Sequence, residues 1–393
     1  MTDHVRVRRL QSQMRKAGLD ALVLRLPENI VMAFGVWPMN GLSHALFTAE
    51  QGPVALIAPS CEDQEMDACW AADIRTFAWP RLVMDDPVVF TRQQLEDLAK
   101  RHKLARARIG YEGSFDAVAP AHNAGEVLVP TEATIAALKE TLPGARWSDA
   151  TALLHGQRAT KTSAEVEKLR VAHRVAAFGL RAFHEGVAPG MSEAALAGAV
   201  YRACLERGVG VRGVQHINVY PQVSSGGGGA SRAWRPVVST GRRKLNQGDL
   251  AVLELAVCVD GFWADVTRVK AAGQPSPVQR DAFGAVRDAQ AAALATIRAK
   301  VSAKTPHEVA AAVLIEHGFA DNIVHLTGHG LGFRYHEPEP FLMPGNRMRL
   351  RVGHVCSVEP GLYDPRWGGI RLEDNIVVTE TGYDNLTPTR KTL

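Results

Sequence analysis

No apolar run approaches eighteen residues, and the N-terminal stretch MTDHVRVRRLQSQM has no apolar signal core. Neither a membrane-spanning helix nor a secretory leader is expected, which makes this a cytoplasmic protein with no membrane partner. The chain also lacks a basic tract, and its formal net charge is only +4. Nucleic acid is therefore not an expected partner, since phosphate binding needs clustered Lys and Arg. The five cysteines (Cys61, Cys69, Cys204, Cys258 and Cys356) form no CxxC pair. Odd in number and scattered, they suit neither a disulfide framework nor a zinc knuckle. SSGGGGAS and TGHGLG are rich in glycine but lack a strand–GxGxxG–helix setting and the Lys-Ser/Thr of a phosphate loop. There is no GxSxG elbow, low-complexity segment or repeat.

At 393 residues, 46% hydrophobic and 22% charged, the chain is long enough for two cores. Val5 to Ala17 reads as an amphipathic helix stopped by Gly18. ALVLRL follows as a strand, and ALFTAE and PVALIA form a hairpin around Gln51-Gly52. Residues 1–153 read as an α/β domain, 154–160 as a linker and 161–393 as a second domain. The second domain opens on a helical stripe of Val166, Leu169, Ala172, Val175, Ala176, Leu180 and Phe183, with Ser163 and Glu167 near its start. A helix follows Pro189-Gly190, others span Pro277 to Ala299 and Pro306 to Gly318, and a β-rich tail closes the chain.

Within LELAVCVDGFWADVTR, Asp260-Gly261 signals a hairpin turn. Val259 then faces Phe262 and Ala256 faces Asp265, which sets Glu254 diagonally beside Asp265 among apolar neighbours. Two buried carboxylates need a counter-charge, either Arg268 or a metal ion. Further ligand types occur in TGHGLGFRYHEPEP (His329, His336), HVCSVEPGLY (Glu359) and GGIRLEDNIVV (Arg371, Glu373). Singly, His329 could be a core histidine, Glu359 a turn cap and Glu373 a solvated strand residue. Together they give one imidazole and four carboxylates, a set suited to a pair of Mn, Co, Zn or Fe ions that activate a water.

The order of these motifs, with GD upstream, DxTR, TGHGLG, HEPEP, VEPGxY and GxRxED, resembles the pita-bread metallopeptidases: the methionine aminopeptidase, Xaa-Pro aminopeptidase, prolidase and creatinase superfamily. The resemblance implies an α/β creatinase/prolidase-like N-terminal domain and an α+β pita-bread C-terminal domain. It places the metal ligands at Glu254, Asp265, His329, Glu359 and Glu373. Glu359 would also act as general base and His336 would stabilise the oxyanion. Arg371, His325 and Trp234 would contact substrate, and Trp37 in FGVWPMNG would form a lid from the partner of a homodimer.

Two positions depart from the pattern. Glu254 stands where the family has aspartate, moving a carboxylate by about a bond length against ligand tolerances of about 0.2 Å. The family's upstream histidine is replaced by Trp234 or Val237, depending on alignment. The implied activity is dinuclear hydrolysis of a small amide, foremost an Xaa-Pro dipeptide. A metal-free C–N hydrolase of a small zwitterion, a related lyase and a catalytically dead binding module are the alternatives.

Overall fold

The structure is a computed structural model of the full chain and describes residues 1–39, 42–62, 66–79, 85–113, 132–235 and 240–393. Val237 lies outside the described residues. Contacts divide the described chain into one unit up to Arg158 and a second from Ala159 to Leu393.

The first unit begins with helix α1 (His4–Ala17). Asp3 caps its start, accepting from the N–H groups of Val5 and Arg6, and Gly18 ends it in the left-handed region at φ 68°. Strand β1 (Ala21–Leu24), helix α2 (Pro27–Phe34), and strands β2 (His44–Thr48), β3 (Gly52–Pro59) and β4 (Asp73–Phe77) follow. Helix α3 (Pro87–Arg101), β5 (Arg108–Tyr111), α4 (Glu132–Thr141), β6 (Arg146–Asp149) and α5 (Thr151–Ala159) complete the unit. Its six strands lie in the order β4-β3-β2-β1-β5-β6. β1, β2 and β3 are antiparallel neighbours, and β1–β5, β5–β6 and β3–β4 pair in parallel. Residues 154–160, expected as a linker, lie mostly within helix α5.

The second unit starts with helices α6 (Ser163–Gly186) and α7 (Glu193–Gly208). The cap of α6 is Thr162, whose hydroxyl accepts from the Glu165 N–H while the Glu165 carboxylate accepts from the Thr162 N–H at 2.8 Å. The start therefore sits one residue earlier than Ser163, on a T-x-x-E capping box. The apolar stripe of α6, from Ala172 to Phe183, is buried in a core shared with β7 (Ile217–Ser225), β8 (Leu250–Val259) and β9 (Phe262–Ala271). The short helix α8 (Gly226–Ala230) follows β7.

Helices α9 (Pro277–Thr296) and α10 (Lys304–Glu316) bury their alanine-rich faces in a second core. Around it lie β10 (Gly328–Gly330), β11 (Glu337–Leu342), β12 (Val355–Val358), β13 (Gly361–Asp364), β14 (Gly368–Arg371), β15 (Asp374–Val378) and β16 (Tyr383–Asn385). The sheets are β7-β8-β9, β11-β10-β12-β15-β16 and the hairpin β13-β14. None of the described helices is long and apolar enough to cross a membrane.

Candidate active site

The β8–β9 hairpin turns at Asp260 and Gly261, which take φ of 47° and 85°. Its register pairs Val259 with Phe262, Ala256 with Asp265 and Glu254 with Thr267. Since alternate residues share a face, Glu254 and Asp265 project together as diagonal neighbours.

The hairpin is fastened to the segment after β14 by Arg268. That guanidinium is fully buried and donates to the Glu373 carbonyl at 2.6 Å and to Asp374 Oδ1 at 2.8 Å. Arg268 is thus the counter-charge of Asp374, and among the described residues the alternative pairing with Glu254 or Asp265 does not occur. The Glu373 N–H donates to the Thr267 carbonyl at 3.2 Å. These backbone ties bring Glu373 onto the acidic face of the hairpin.

His329 enters from β10, a strand wedged between β11 and β12. A methyl on Gly328 would sit 2.0 Å from the Ser357 carbonyl oxygen, and one on Gly330 would sit 1.9 Å from the Glu339 carbonyl oxygen. Only glycine permits that approach. The imidazole Nδ1 lies 3.0 Å from the Gly330 carbonyl, which can only accept, so Nδ1 carries the proton. Nε2 therefore faces Asp265 Oδ2 and Glu359 Oε1, each at 3.3 Å. Glu359 in turn accepts from the Ser357 hydroxyl at 3.0 Å.

Both carboxylate oxygens of Asp265 are buried without a hydrogen-bond partner, as is Glu373 Oε1. Burial pushes both carboxyls well above the usual carboxylate range, and the neighbouring acids push them further. Glu254 differs. Burial would raise it too, but the Arg371 guanidinium and the Thr267 and Tyr335 hydroxyls hold it well below its ordinary value. Tyr335 donates to Oε1 at 2.6 Å, while Thr267 and Arg371 both reach Oε2. The Thr267 hydroxyl also lies 2.8 Å from Glu373 Oε2, so its single proton serves one acid at a time.

Donor atoms of His329, Glu359 and Glu373 lie within 4.8 Å of one another, as do those of Glu254, Asp265 and Glu373, and of Asp265, His329 and His336. Unpartnered buried carboxylate oxygens around an imidazole lone pair fit a divalent cation. Asp265, Glu373 and His329 meet that requirement without rearrangement, with Glu359 Oε1 3.3 Å from the His329 Nε2 beside them. Glu254 is already neutralised by protein donors.

Glu254, His329 and Glu359 border a cavity of about 190 Å³, whose wall also includes Trp234, Arg235, His325, Tyr335, His336, Phe341 and Arg371. Residues 167–380 match metallopeptidase family M24, and residues 6–160 match the creatinase/prolidase N-terminal domain. The chain belongs to metallopeptidase family M24. Its family is one of metallohydrolases, and its two-domain pita-bread organisation agrees with the fold expected from the motifs.

The chain is 30% identical over 258 residues to the Xaa-Pro dipeptidase of Lactobacillus helveticus, covering 65% of this chain and 67% of that one. It is 29% identical over 236 residues to the Xaa-Pro dipeptidase of Pyrococcus furiosus, covering 60% and 65%. The matched stretches thus span about two-thirds of these relatives' length. The prolidase structure from Pyrococcus horikoshii superposes with a TM-score of 0.77 at 22% identity, covering 99% of this chain and all of that one. Dipeptidase PepE from Mycobacterium ulcerans superposes with a TM-score of 0.74 at 26% identity, covering 99% and 96%.

Within this M24 unit, the five expected ligand positions converge, and His336 lies beside them with its ring centre 4.0 Å from that of His329 and tilted by 46°. His325 is half-buried and bonds the Tyr363 hydroxyl at 3.0 Å, and burial lowers its pKa. Trp234 is exposed at the cavity wall.

Arg371, expected to contact substrate, lies in the cavity wall. Its guanidinium is buried and donates to Thr267 Oγ1 (2.9 Å), the Ala233 carbonyl (2.7 Å), the Tyr363 hydroxyl (3.0 Å) and Glu254. Those donors are committed to protein rather than to a ligand. Trp37 lies in the first unit, half-buried after α2, and its loop ends in residues outside those described. Sequence reasoning missed Tyr335 and Thr267 as partners of Glu254. Both lie inside quoted motifs, next to His336 and two positions after Asp265, but nothing in a motif says which acid a hydroxyl will reach.

Proposed function

We propose that this chain is a divalent-metal-dependent dipeptidase cleaving Xaa-Pro dipeptides with two metal ions. The observation that supports it most is the cluster of Asp265, His329, Glu359 and Glu373, with buried carboxylate oxygens that no protein donor reaches. The relatives named Xaa-Pro dipeptidase support the substrate class. A cavity of about 190 Å³ favours a small substrate, since ligand pockets commonly run roughly 300–1,000 Å³.

Asp265, His329, Glu359 and Glu373 would hold one ion, and Glu254 with Asp265 and Glu373 the other. Mn, Co, Zn or Fe there would polarise the scissile carbonyl and lower the pKa of water. Glu359 accepts the proton of the attacking water, its carboxylate oriented by the Ser357 hydroxyl. His336 donates to the oxyanion as the carbonyl becomes tetrahedral. Arg371 holds Glu254 in place, and the protein-bound state of Glu254 makes its ion the weaker of the two. A homodimer with Trp37 as lid over the partner's cavity belongs to the same reading, and the mass in solution tests it.

The metal-free and lyase alternatives draw no support from the dipeptidase relatives. The test is Ala-Pro hydrolysis by stripped protein reconstituted with each metal, with metal equivalents counted. Cleavage that requires metal and follows uptake of two unequal equivalents is expected. Cleavage that survives chelation, or none with any metal, would overturn the reading.

A further inference from the structure

The cavity wall carries two guanidinium groups, those of Arg235 and Arg371. Arg371 is spoken for by Glu254, Thr267, Tyr363 and the Ala233 carbonyl. Arg235 is exposed and, among the described residues, makes no ion pair. Its guanidinium carbon lies 5.5 Å from the centre of the Trp234 ring. Such a cation–π contact orients the group while leaving its N–H edge available.

The segment bearing these two residues is anchored. The Arg235 N–H donates to the Arg232 carbonyl at 3.0 Å, and Arg371 grips the Ala233 carbonyl at 2.7 Å. The same buried arginine that neutralises Glu254 therefore fixes the backbone beside Trp234. Glu254 and Glu359 also line the cavity, so an anionic ligand group entering it meets repulsion unless a cation faces it.

We propose that Arg235 binds the C-terminal carboxylate of a dipeptide, with Trp234 forming the flat wall beside the C-terminal residue. The planar fork of arginine matches a carboxylate with two parallel donors. This rests on the dipeptidase reading for the ligand class.

The test uses metal-loaded protein and an Ala-Pro analogue with its scissile carbonyl reduced to methylene, prepared as free acid and as C-terminal amide. Calorimetry should show the acid binding roughly ten- to hundred-fold more tightly than the amide. Arg235→Ala should abolish that preference and Arg235→Lys should keep part of it. Wild type that binds both forms equally, or neither, overturns the assignment, as does a preference retained in Arg235→Ala. Turnover of Ala-Pro is scored separately. A chain that cleaves no Xaa-Pro dipeptide yet loses its acid preference with Arg235 contradicts the peptidase reading and upholds this one.

Discussion

Each of the two units buries carboxyl groups, and Glu112 in the first and Asp265 in the second are treated in opposite ways. In the first, Glu112 accepts from the N–H groups of Arg25 (2.7 Å) and Leu26 (3.0 Å) and from the Asn29 amide (2.8 Å). Burial still pushes it up to about 7, but its oxygens have partners. In the second unit, Asp265 has none. The desolvation cost is alike, so the difference lies in what offsets it. Donors supplied by the fold mark a carboxylate that serves the fold. A carboxylate left bare is waiting for a charge from outside.

Substitutions at the two acids should separate these roles. Asp265→Asn should lower metal-dependent peptidase activity at least about a hundredfold. Thermal stability of the metal-free protein should hold or rise by about 1 kcal/mol, because the cost of burying and so protonating an unpartnered carboxyl is removed. A matching loss of stability in the metal-free variant would show that Asp265 is structural after all. Glu112→Ala should do the reverse. It strands the donors of Arg25, Leu26 and Asn29 and should cost roughly 3 kcal/mol by chemical denaturation. Activity per folded molecule should stay unchanged.

A smaller effect should be shared by both units, as each buries a neutral histidine. Burial drives His44 down to about 3 and His354 to about 4, against an ordinary value of 6.5, with Arg25 and Lys161 adding to the shifts. The folded state thus binds fewer protons than the unfolded one between these values. Stability from each histidine is present above about pH 6.5 and declines as pH falls towards 4, by roughly 3 kcal/mol for His354 at full titration. Denaturation midpoints at pH 7, 5.5 and 4.5 should fall progressively, and His354→Asn should flatten that limb. An unchanged slope in the variant would remove His354 from the account.

The parts of the site legible in the sequence are those with a local geometric rule behind them. Asp260-Gly261 set the turn, and a period of two then carried Ala256 to Asp265 and placed Glu254 beside it. Ligand types at Glu254, Asp265, His329, Glu359 and Glu373 could be read because a polar run in an apolar strand is costly without a purpose. Contacts between distant side chains could not. Arg371 has the chemistry of a carboxylate binder in either setting, and only the fold decides that its carboxylate is Glu254. Arg268 was equally suited to Glu254 and Asp374 until the strands were laid side by side. The start of α6 was legible in T-x-x-E at Thr162 and Glu165, one residue before the Ser163 that drew attention.

The glycines on either side of His329 limit how this cavity can be altered. Their missing methyl groups are occupied space, filled by carbonyls of two adjoining strands. Side chains at the exposed cavity wall, such as Trp234, can be exchanged one at a time, whereas a side chain at 328 or 330 would demand that whole strands part. Engineering a new specificity here has freedom at the walls and almost none beneath the imidazole.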